Sequence, residues 1–412
     1  MKNVLFFTLP FWGHINPNIE LFKVLKCHVN LLCVSSEKFQ PFFRGLHISA
    51  ANYPVCVEEY YGNGIIEEKE ELAKQYFKSQ YEYDTLYKII DANFSVSEEI
   101  YLALMDVMRD FQPNLIIADA AAFWTPLVAM KLNTEYLYIE SATNMLDVSQ
   151  DKYFMDYIED VVSAEIQCPL DSKEVFHNFQ VLEKKQKKHF AKLAGLKLDK
   201  YREPLGTIAY LSKELQIGSE EISQDMCYAG FHFDTASMQK DKKIFVTRGT
   251  ISDFYNLKIL KEMMECASEK ENYHIVATIG NTVSAGNLFA DIACKKNVTA
   301  EKVLDQIEEL KSSVLMITHG GISGVREAIM CEVPLIIFPT SFHCYQVGLA
   351  IEKAKAGILL KKHPLDKEEI STAIDTILGC GEYVDNVRKL KCTLSECSKK
   401  HGVWSYIETF LK

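Results

Sequence analysis

One histidine near the start of the chain is a candidate for acid–base chemistry. The stretch FFTLPFWGHINPN, residues 6–18, passes from an apolar run through a proline, a tryptophan and a glycine to His14. An imidazole can take a proton from an attacking hydroxyl group, and a neighbouring carboxylate fixes its tautomer and strengthens it as a base. Asp119 is the candidate partner because it directly follows another apolar run, NLIIA. The two residues indicate general-base chemistry, and a structural histidine is the alternative interpretation.

Two glycine turns in the second half of the chain suit a phosphate group. They lie in TRGTIS, residues 247–252, and in THGGISGVRE, residues 318–327, where a helix is predicted to follow. Glycines let the backbone approach a ligand, and the free N–H groups of a helix N-terminus attract an anion. Two such turns favour a diphosphate, whereas tight packing explains a single Gly-Gly turn equally well. The residues concerned are Gly249, Thr250, His319, Gly320, Gly321, Ser323 and Gly324.

A glutamate follows the second turn at a useful spacing. Glu327 lies about one and a half turns into the predicted helix, where its carboxylate can accept two hydrogen bonds from a ribose diol. An ordinary exposed helix glutamate is the alternative. No lysine follows either turn at the spacing of a nucleoside-triphosphate loop, so the sequence does not favour ATP hydrolysis.

The elements around these residues predict a parallel sheet. The apolar runs at residues 3–10, 29–35 and 114–118 are nearly continuous, as in strands that are buried on both faces. In open α/β sheets, ligands bind at the carboxyl ends of such strands. His14 and Asp119 both lie at that edge, so contact between their side chains is permitted.

The second half of the chain repeats the strand, turn and helix pattern of the first half. In the first unit, a helix is predicted to begin at Pro17, with Asn16 as its cap. A polar and irregular stretch near residues 217–243 separates the two units. Two α/β units in tandem imply a cleft between them, with a ligand-binding edge on each side.

Composition narrows the classes of function. With 412 residues, of which 48% are hydrophobic and 25% are charged, the chain predicts two globular domains. A net charge of −11 without a long basic run disfavours a nucleic-acid partner. The absence of a signal peptide and of a long apolar window predicts a cytoplasmic protein without stable membrane insertion. The 12 cysteines form no C-x-x-C pair, which favours reduced thiols over disulfides or zinc.

Several motifs in one order resemble those of the inverting UDP-glycosyltransferases of the macrolide and flavonoid type. They are GHINP, Asp119 after an apolar strand, VTRGT, and the segment from Asn297 to Leu360. The resemblance implies the GT-B fold, an α/β architecture in which two Rossmann-like domains with parallel sheets face a central cleft. It implies a hexosyltransferase that uses a UDP-sugar as co-substrate, a small hydroxylated natural product as acceptor, and neither a metal ion nor another cofactor.

The resemblance also implies the division of the chain. Residues 1–217 would bind the acceptor and residues 241–398 the nucleotide sugar, with 218–240 as linker. Residues 399–412 would form a helix that returns to the first domain.

By the same resemblance, roles are expected for individual residues. His14 would deprotonate the acceptor hydroxyl, with Asp119 as its partner, and Glu327 would bind the ribose. Gln346 and, more loosely, Ser141 would bind sugar hydroxyls. The diphosphate positions are His319, Gly321, Ser323, Gly324 and, from the neighbouring turn, Thr250.

The acceptor pocket and the donor site carry further expectations. Trp12 and Trp124 lie beside strand ends, near His14 and Asp119, and are predicted to line the acceptor pocket. Val303 stands shortly before Gln306 where the family usually has an aromatic residue, so stacking under the uracil ring is expected to be weaker or to come from elsewhere. Tyr345 stands where the family has an acid that binds sugar hydroxyls, and a phenol cannot offer two anionic oxygens. These departures suggest that the donor sugar is not glucose, or that the donor is bound more weakly than in the family.

Two other classes of function remain open at this stage. One is another sugar-nucleotide enzyme of the same architecture, either an epimerase or a lipid-linked glycosyltransferase. An epimerase would need no acceptor, and a lipid-linked enzyme would carry an apolar patch rimmed with basic residues. The other class is a catalytically silent helper, which would be expected to lack His14 or Asp119, and both are present.

Overall fold

The structure is a computed structural model with two parallel sheets flanked by helices. Most of the described strands are buried on both faces, which matches their continuous apolar sequences. The described residues are 1–55, 57, 83–140, 151–163, 169–217, 226–229, 238–249, 254–279, 288–361, 365–400 and 402–411.

The first sheet has seven described strands in the order β3-β2-β1-β4-β5-β6-β7, and all pairs are parallel. The order reverses between β1 and β4, because β1 pairs with β2 on one side and with β4 on the other. A crevice opens at the carboxyl ends of two such strands. The strands are β1 (Asn3–Phe7), β2 (Asn30–Ser35), β3 (Ser49–Asn52), β4 (Leu115–Asp119), β5 (Tyr136–Glu140), β6 (Thr207–Ala209) and β7 (Met226–Tyr228).

The second sheet repeats this design with six described strands in the order β10-β9-β8-β11-β12-β13. Here the order reverses between β8 and β11, which pair in parallel. The glycine turns follow these two strands. The strands are β8 (Lys243–Thr247), β9 (His274–Thr278), β10 (Val298–Glu301), β11 (Leu315–Thr318), β12 (Leu335–Ile337) and β13 (Gly357–Leu359). The predicted GT-B fold is confirmed.

Helices connect the strands of both sheets. No helix in the described part of the chain is long and apolar enough to cross a membrane. In the first half, the helices are α1 (Trp12–Ile15), α2 (Ile19–His28), α3 (Gln40–Gly45), α4 (Tyr83–Phe111), α5 (Thr125–Leu132), α6 (Asp151–Tyr157) and α7 (Ser172–Leu193). In the second half, they are α8 (Phe254–Ser268), α9 (Ala290–Ala293), α10 (Gln306–Ser312), α11 (Ile322–Met330), α12 (Phe342–Lys353), α13 (Lys367–Gly379), α14 (Glu382–Lys400) and α15 (Val403–Glu408).

The first domain receives two segments from beyond residue 217. Strand β7 lies inside the stretch predicted as linker, yet it pairs with β6 and extends the first sheet. Helix α15 packs on the same domain, where the ring of Trp404 stacks on His28 at 4.3 Å between centroids. Ile407 is fully buried in the first domain's core. The end of the chain therefore ties the second domain back to the first.

An apolar interface joins the two domains. Tyr157 and Leu211 of the first domain are buried in one cluster with Tyr345 and Val347 of the second. The ring of Tyr157 lies 5.8 Å from Phe342 and 5.6 Å from Tyr345. Because aromatic pairs bury large areas in a defined geometry, this contact fixes α6 of the first domain against α12 of the second.

Candidate active site

His14 lies in a short helix rather than in a loop. Strand β1 ends at Phe7, and α1 begins at Trp12, with Phe11 at its N-cap. A single 3₁₀ turn then leads into α2. The prediction that the helix starts at Pro17 is therefore wrong, and the chain turns helical before His14. This early turn places the imidazole over the carboxyl ends of β1 and β4.

The structure brings His14 and Asp119 together, a contact that their strand positions permitted. Nδ1 of His14 lies 2.7 Å from Oδ2 of Asp119. The other carboxylate oxygen accepts a hydrogen bond of 2.9 Å from the backbone N–H of Ala121, and Asp119 is only 1% exposed. With Nδ1 protonated toward Asp119, Nε2 is the ring nitrogen that can accept a proton. The carboxylate is thus fixed at both oxygens and orients the imidazole.

The electrostatics of this pair strengthen the base. Burial by itself lowers the pKa of His14, but the negative charge and the hydrogen bond of Asp119 raise it by more, so the pKa lies above its usual value. The His14 side chain keeps 30% of its surface exposed. The ring is therefore basic and reachable by a substrate.

The Gly-Gly turn of the second domain is built around the ring of His319. A Cβ atom on Gly249 would lie 2.5 Å from this ring, and one on Gly321 would lie 2.7 Å from it. Gly249 and Gly320 also have φ angles of +77° and +94°, which favour glycine. Packing alone thus requires these glycines. Gly321 is in addition the N-cap of α11 and offers no side-chain acceptor to its first N–H groups.

Two charged or titratable residues that the sequence interpretation missed lie beside this turn. Burial lowers the pKa of His319 to about 4, with further lowering by the charges of Arg248 and His343. Burial also lowers the pKa of His343 to about 4, with a further lowering by His14 that Asp119 opposes. The charge of His343 thus interacts with His14 and Asp119 and with His319 of the Gly-Gly turn. This residue stands between the predicted halves of the site.

A positional signal existed for both missed residues. Arg248 is 3% exposed and directly follows β8, inside the motif VTRGT. His343 lies in the first turn of α12, three residues before Gln346. Each stands at a strand end or helix start that faces the crevice. A charged residue at such a position was available from the sequence as a candidate.

Glu327 is buried and held by Gln306. Nε2 of Gln306 donates a 2.6 Å hydrogen bond to Oε2 of Glu327, which is 4% exposed. Burial raises the pKa of Glu327, while Gln306 and Arg326 lower it. A Cβ atom on Gly324 would lie 3.2 Å from the same Gln306 nitrogen. The structure therefore joins three predicted donor residues, 306, 324 and 327, in one place.

The other predicted donor residues differ in accessibility. Tyr345 is 2% exposed, and its hydroxyl donates a 3.1 Å hydrogen bond to Asp160 of the first domain. Burial and Asp160 raise the pKa of Tyr345 above its usual value. Gln346 is fully buried, whereas Val303 is 70% exposed. In this structure, Tyr345 links the two domains.

The two tryptophans predicted to line the acceptor pocket also differ in exposure. Trp12 is 45% exposed and stacks on Phe39 at 6.1 Å. Trp124 has no exposed surface and packs edge-on against Tyr53 at 5.2 Å, inside the core. Its assignment to a pocket surface is therefore wrong, because the ring points into the domain. Two further predicted residues, Ser141 and Thr250, lie outside the described residues.

Comparisons with known proteins bear on this site. Residues 243–396 match the glycosyltransferase family 28 C-terminal domain. The chain is 22% identical over 420 residues to the NDP-glycosyltransferase YjiC of Bacillus subtilis (strain 168), covering 98% of this chain and 96% of that one.

Solved structures agree with this similarity. The glycotransferase of kitacinnamycin has a TM-score of 0.70 at 13% identity and covers 99% of both chains. Spinosyn rhamnosyltransferase SpnG complexed with thymidine diphosphate has a TM-score of 0.64 at 15% identity and covers 96% of both. With a family 28 C-terminal domain and similarity along its whole length, the chain is a glycosyltransferase of the GT-B type.

Proposed function

We propose that the protein transfers a sugar from a UDP-sugar to a hydroxyl group of a small natural-product acceptor, with inversion at the anomeric carbon. His14 acts as the general base and Asp119 as its partner. One observation carries the proposal, namely the 2.7 Å contact between Nδ1 of His14 and the buried, doubly held carboxylate of Asp119.

The proposed reaction makes use of this geometry. Nε2 of His14 removes the proton from the acceptor hydroxyl while Asp119 stabilises the imidazolium that forms. The oxygen attacks the anomeric carbon from the side opposite the leaving diphosphate, so that one bond forms as the other breaks. A single displacement of this kind inverts the configuration.

The second domain supplies the means to stabilise the leaving group. The first N–H groups of α11 and the buried guanidinium of Arg248 offer positive potential beside the turn that ends at Gly321. His319, neutral at physiological pH because of its low pKa, contributes a hydrogen-bonding ring. Glu327, oriented by Gln306, is the acceptor for the ribose diol. This scheme requires neither a metal ion nor another cofactor.

Related proteins support the donor and acceptor classes. The relative from Bacillus subtilis is named an NDP-glycosyltransferase, and the spinosyn enzyme is complexed with thymidine diphosphate. Another structure of that enzyme holds the spinosyn aglycone. A role in the biosynthesis of an antibiotic or a similar compound is consistent with these neighbours. We assign the reaction to the cytoplasm, since the ten described cysteines are all free thiols.

The test is a panel of UDP- and TDP-sugars, incubated with and without phenols and alcohols, in which release of the nucleoside diphosphate is followed. We expect release that depends on the acceptor, and a product whose anomeric configuration is inverted by NMR. His14→Ala should abolish transfer and leave UDP binding intact, whereas His274→Ala, on an exposed histidine at the start of β9, should change neither.

Three outcomes would contradict the proposal. Conversion of the sugar nucleotide without an acceptor would indicate an epimerase. Activity only with lipid acceptors would indicate a lipid-linked enzyme. Unchanged turnover in His14→Ala would reject the assigned base.

A further inference from the structure

A buried series of side-chain contacts connects the second domain to the backbone of His14. It begins at Arg326, which precedes Glu327 on α11. The central guanidinium carbon of Arg326 lies 5.0 Å from the ring centroid of Tyr210. Tyr210 directly follows β6 and thus belongs to the first domain. The contact therefore crosses the domain boundary beside the helix that carries a donor residue.

The series of contacts continues from Tyr210 to His14. The hydroxyl of Tyr210 donates a 2.5 Å hydrogen bond to Oδ1 of Asn18. Nδ2 of Asn18 in turn donates a 2.6 Å hydrogen bond to the carbonyl oxygen of His14. Because both ends of the amide are used, one as acceptor and one as donor, its orientation is fixed. The position of the Tyr210 hydroxyl thus determines how Asn18 holds His14.

Burial makes these contacts strong and specific. Arg326 and Asn18 are fully buried, and Tyr210 is 4% exposed. Burial lowers the pKa of Arg326 to about 10, with Tyr210 and Glu327 opposing this shift, so the guanidinium remains charged at neutral pH. A desolvated cation is attracted to the face of a tyrosine ring. The ring of Tyr210 is therefore held on one side by Arg326 and at its hydroxyl by Asn18.

The segment that carries His14 needs such external support. Helix α1 is four residues long, and its N-cap residue makes no side-chain capping bond. A helix of this length is not stable by itself. Asp119 holds the imidazole ring, whereas Asn18, with a longer 3.4 Å contact from Thr8, holds the backbone carbonyl of His14. Ring and backbone are thus fixed by different partners.

We infer that Arg326, Tyr210 and Asn18 are positioning residues, through which the donor-side helix of the second domain places the catalytic base of the first. We assign none of the three a contact with the reacting atoms. They determine where the His14 backbone lies, and hence how well Nε2 is aimed at the acceptor. The inference rests on the proposed role of His14 and assigns a function to a buried arginine that the donor site itself does not use.

The test is Tyr210→Phe, which removes only the hydroxyl and leaves the ring on Arg326. The matched control is Tyr136→Phe. Tyr136 is 1% exposed in β5 of the same sheet, and its hydroxyl donates a 3.0 Å hydrogen bond to the carbonyl oxygen of Arg202. We expect kcat to fall about tenfold or more in Tyr210→Phe, with the donor KM little changed, because misplacing a catalytic group affects mainly the chemical step. The control should stay within about twofold of the parent.

A second measurement needs no turnover. NMR titration of the His14 ring reports its pKa, which depends on burial of the ring and on the charge and hydrogen bond of Asp119. In Tyr210→Phe, the looser backbone should weaken the pair with Asp119 and lower this pKa, whereas Tyr136→Phe should leave it unchanged. If no donor and acceptor support transfer, the proposed function fails, and the titration alone still tests the positioning role.

Arg326→Met tests the second-domain end of this series of contacts. It replaces a buried charge with an apolar group of similar length. It should lower both kcat and the pKa of His14, as Tyr210→Phe does. The variant with both substitutions should have a kcat little lower than either single variant. It also provides the test should Tyr210→Phe fail to fold. Values of kcat and of the His14 pKa that match those of Tyr136→Phe in both variants would overturn the inference.

Discussion

Replacing Asp119 with asparagine isolates the contribution of its charge. The substitution keeps the size of the side chain, and the remaining carbonyl oxygen can still accept the hydrogen bond of Ala121. It removes the anion that lies 2.7 Å from Nδ1 of His14. In the parent protein, burial lowers the pKa of His14, and Asp119 more than offsets this effect. Without the anion, burial prevails, and the pKa of His14 should fall below its usual value.

The magnitude follows from the geometry. Two unit charges about 4 Å apart interact by about 4 kcal/mol at an effective dielectric constant of about 20. One pKa unit corresponds to about 1.4 kcal/mol, so the loss of an interaction of this size should lower the pKa of His14 measurably. The base also loses the partner that fixes its tautomer, and pairings of this kind are worth about 10² to 10⁴ in rate. That range corresponds to about 3 to 5 kcal/mol of activation free energy.

The assay is the pH dependence of kcat/KM, followed as release of the nucleoside diphosphate. The neutral form of His14 is the proposed base, so activity should be lost as the pH falls through its pKa. In the parent, this loss should occur above the usual histidine value, because the pKa is raised. In Asp119→Asn, it should occur at lower pH, with a plateau reduced about 10² to 10⁴ fold.

Asp171→Asn is the matched control for this experiment. Asp171 caps α7 by accepting hydrogen bonds from the backbone N–H groups of Lys173 and Glu174. Asparagine caps a helix about as well as aspartate, so the profile should not change. An Asp119→Asn enzyme with the parent plateau, or with the acidic limb at the parent pH, would refute the assignment of the base.

Three further substitutions test the second domain. Glu327→Gln should raise the donor KM about tenfold with a smaller effect on kcat, since ribose contacts exist before the transition state, and an unchanged KM would remove it from the nucleotide site. Gly249→Ala should lose UDP binding in calorimetry and about 1 to 3 kcal/mol of stability, because the new methyl group meets His319. Gly195→Ala, with a similar φ of +73° but open space around it, should show the backbone strain alone. Tyr345→Phe should lower the free energy of unfolding by about 1 kcal/mol or less, since Asp160 is exposed; a larger loss in chemical denaturation would contradict this reasoning.

The strand ends of the site could be predicted from the sequence. Buried parallel strands read as continuous apolar runs, and each run stops where the chain leaves the core. His14 and Asp119 follow two such runs, and the pairing of β1 with β4 makes their side chains neighbours. The two domains and their parallel sheets follow from the same pattern.

The directions of side chains could not be predicted in this way. Trp124 lies close to Asp119 in the sequence, but its ring turns into the core against Tyr53. The start of the first helix at Trp12 depends on distant contacts, since the hydroxyl of Tyr210 comes from 192 residues away to hold Asn18. Local propensity favoured the Asn-Pro step instead. Where tertiary contacts override a local signal, the local structure cannot be predicted from a single sequence.

Burial of charge was the other feature hidden from the sequence. A pattern of apolar positions on α11 would leave Arg326 facing solvent, yet it is fully buried. Its neighbour Tyr210 comes from the other domain. Gln306, which orients Glu327, starts a different helix. Such partners are known only once the fold has assembled them.

The same helices of the second domain hold the proposed donor residues and dock on the first domain. Helix α11 carries Glu327 and, one residue earlier, the arginine that packs on Tyr210. Helix α12 carries His343, and its Tyr345 bonds to Asp160. These contacts dock the two domains around the site. Binding energy from the donor can then act on the reaction rather than on assembling the base.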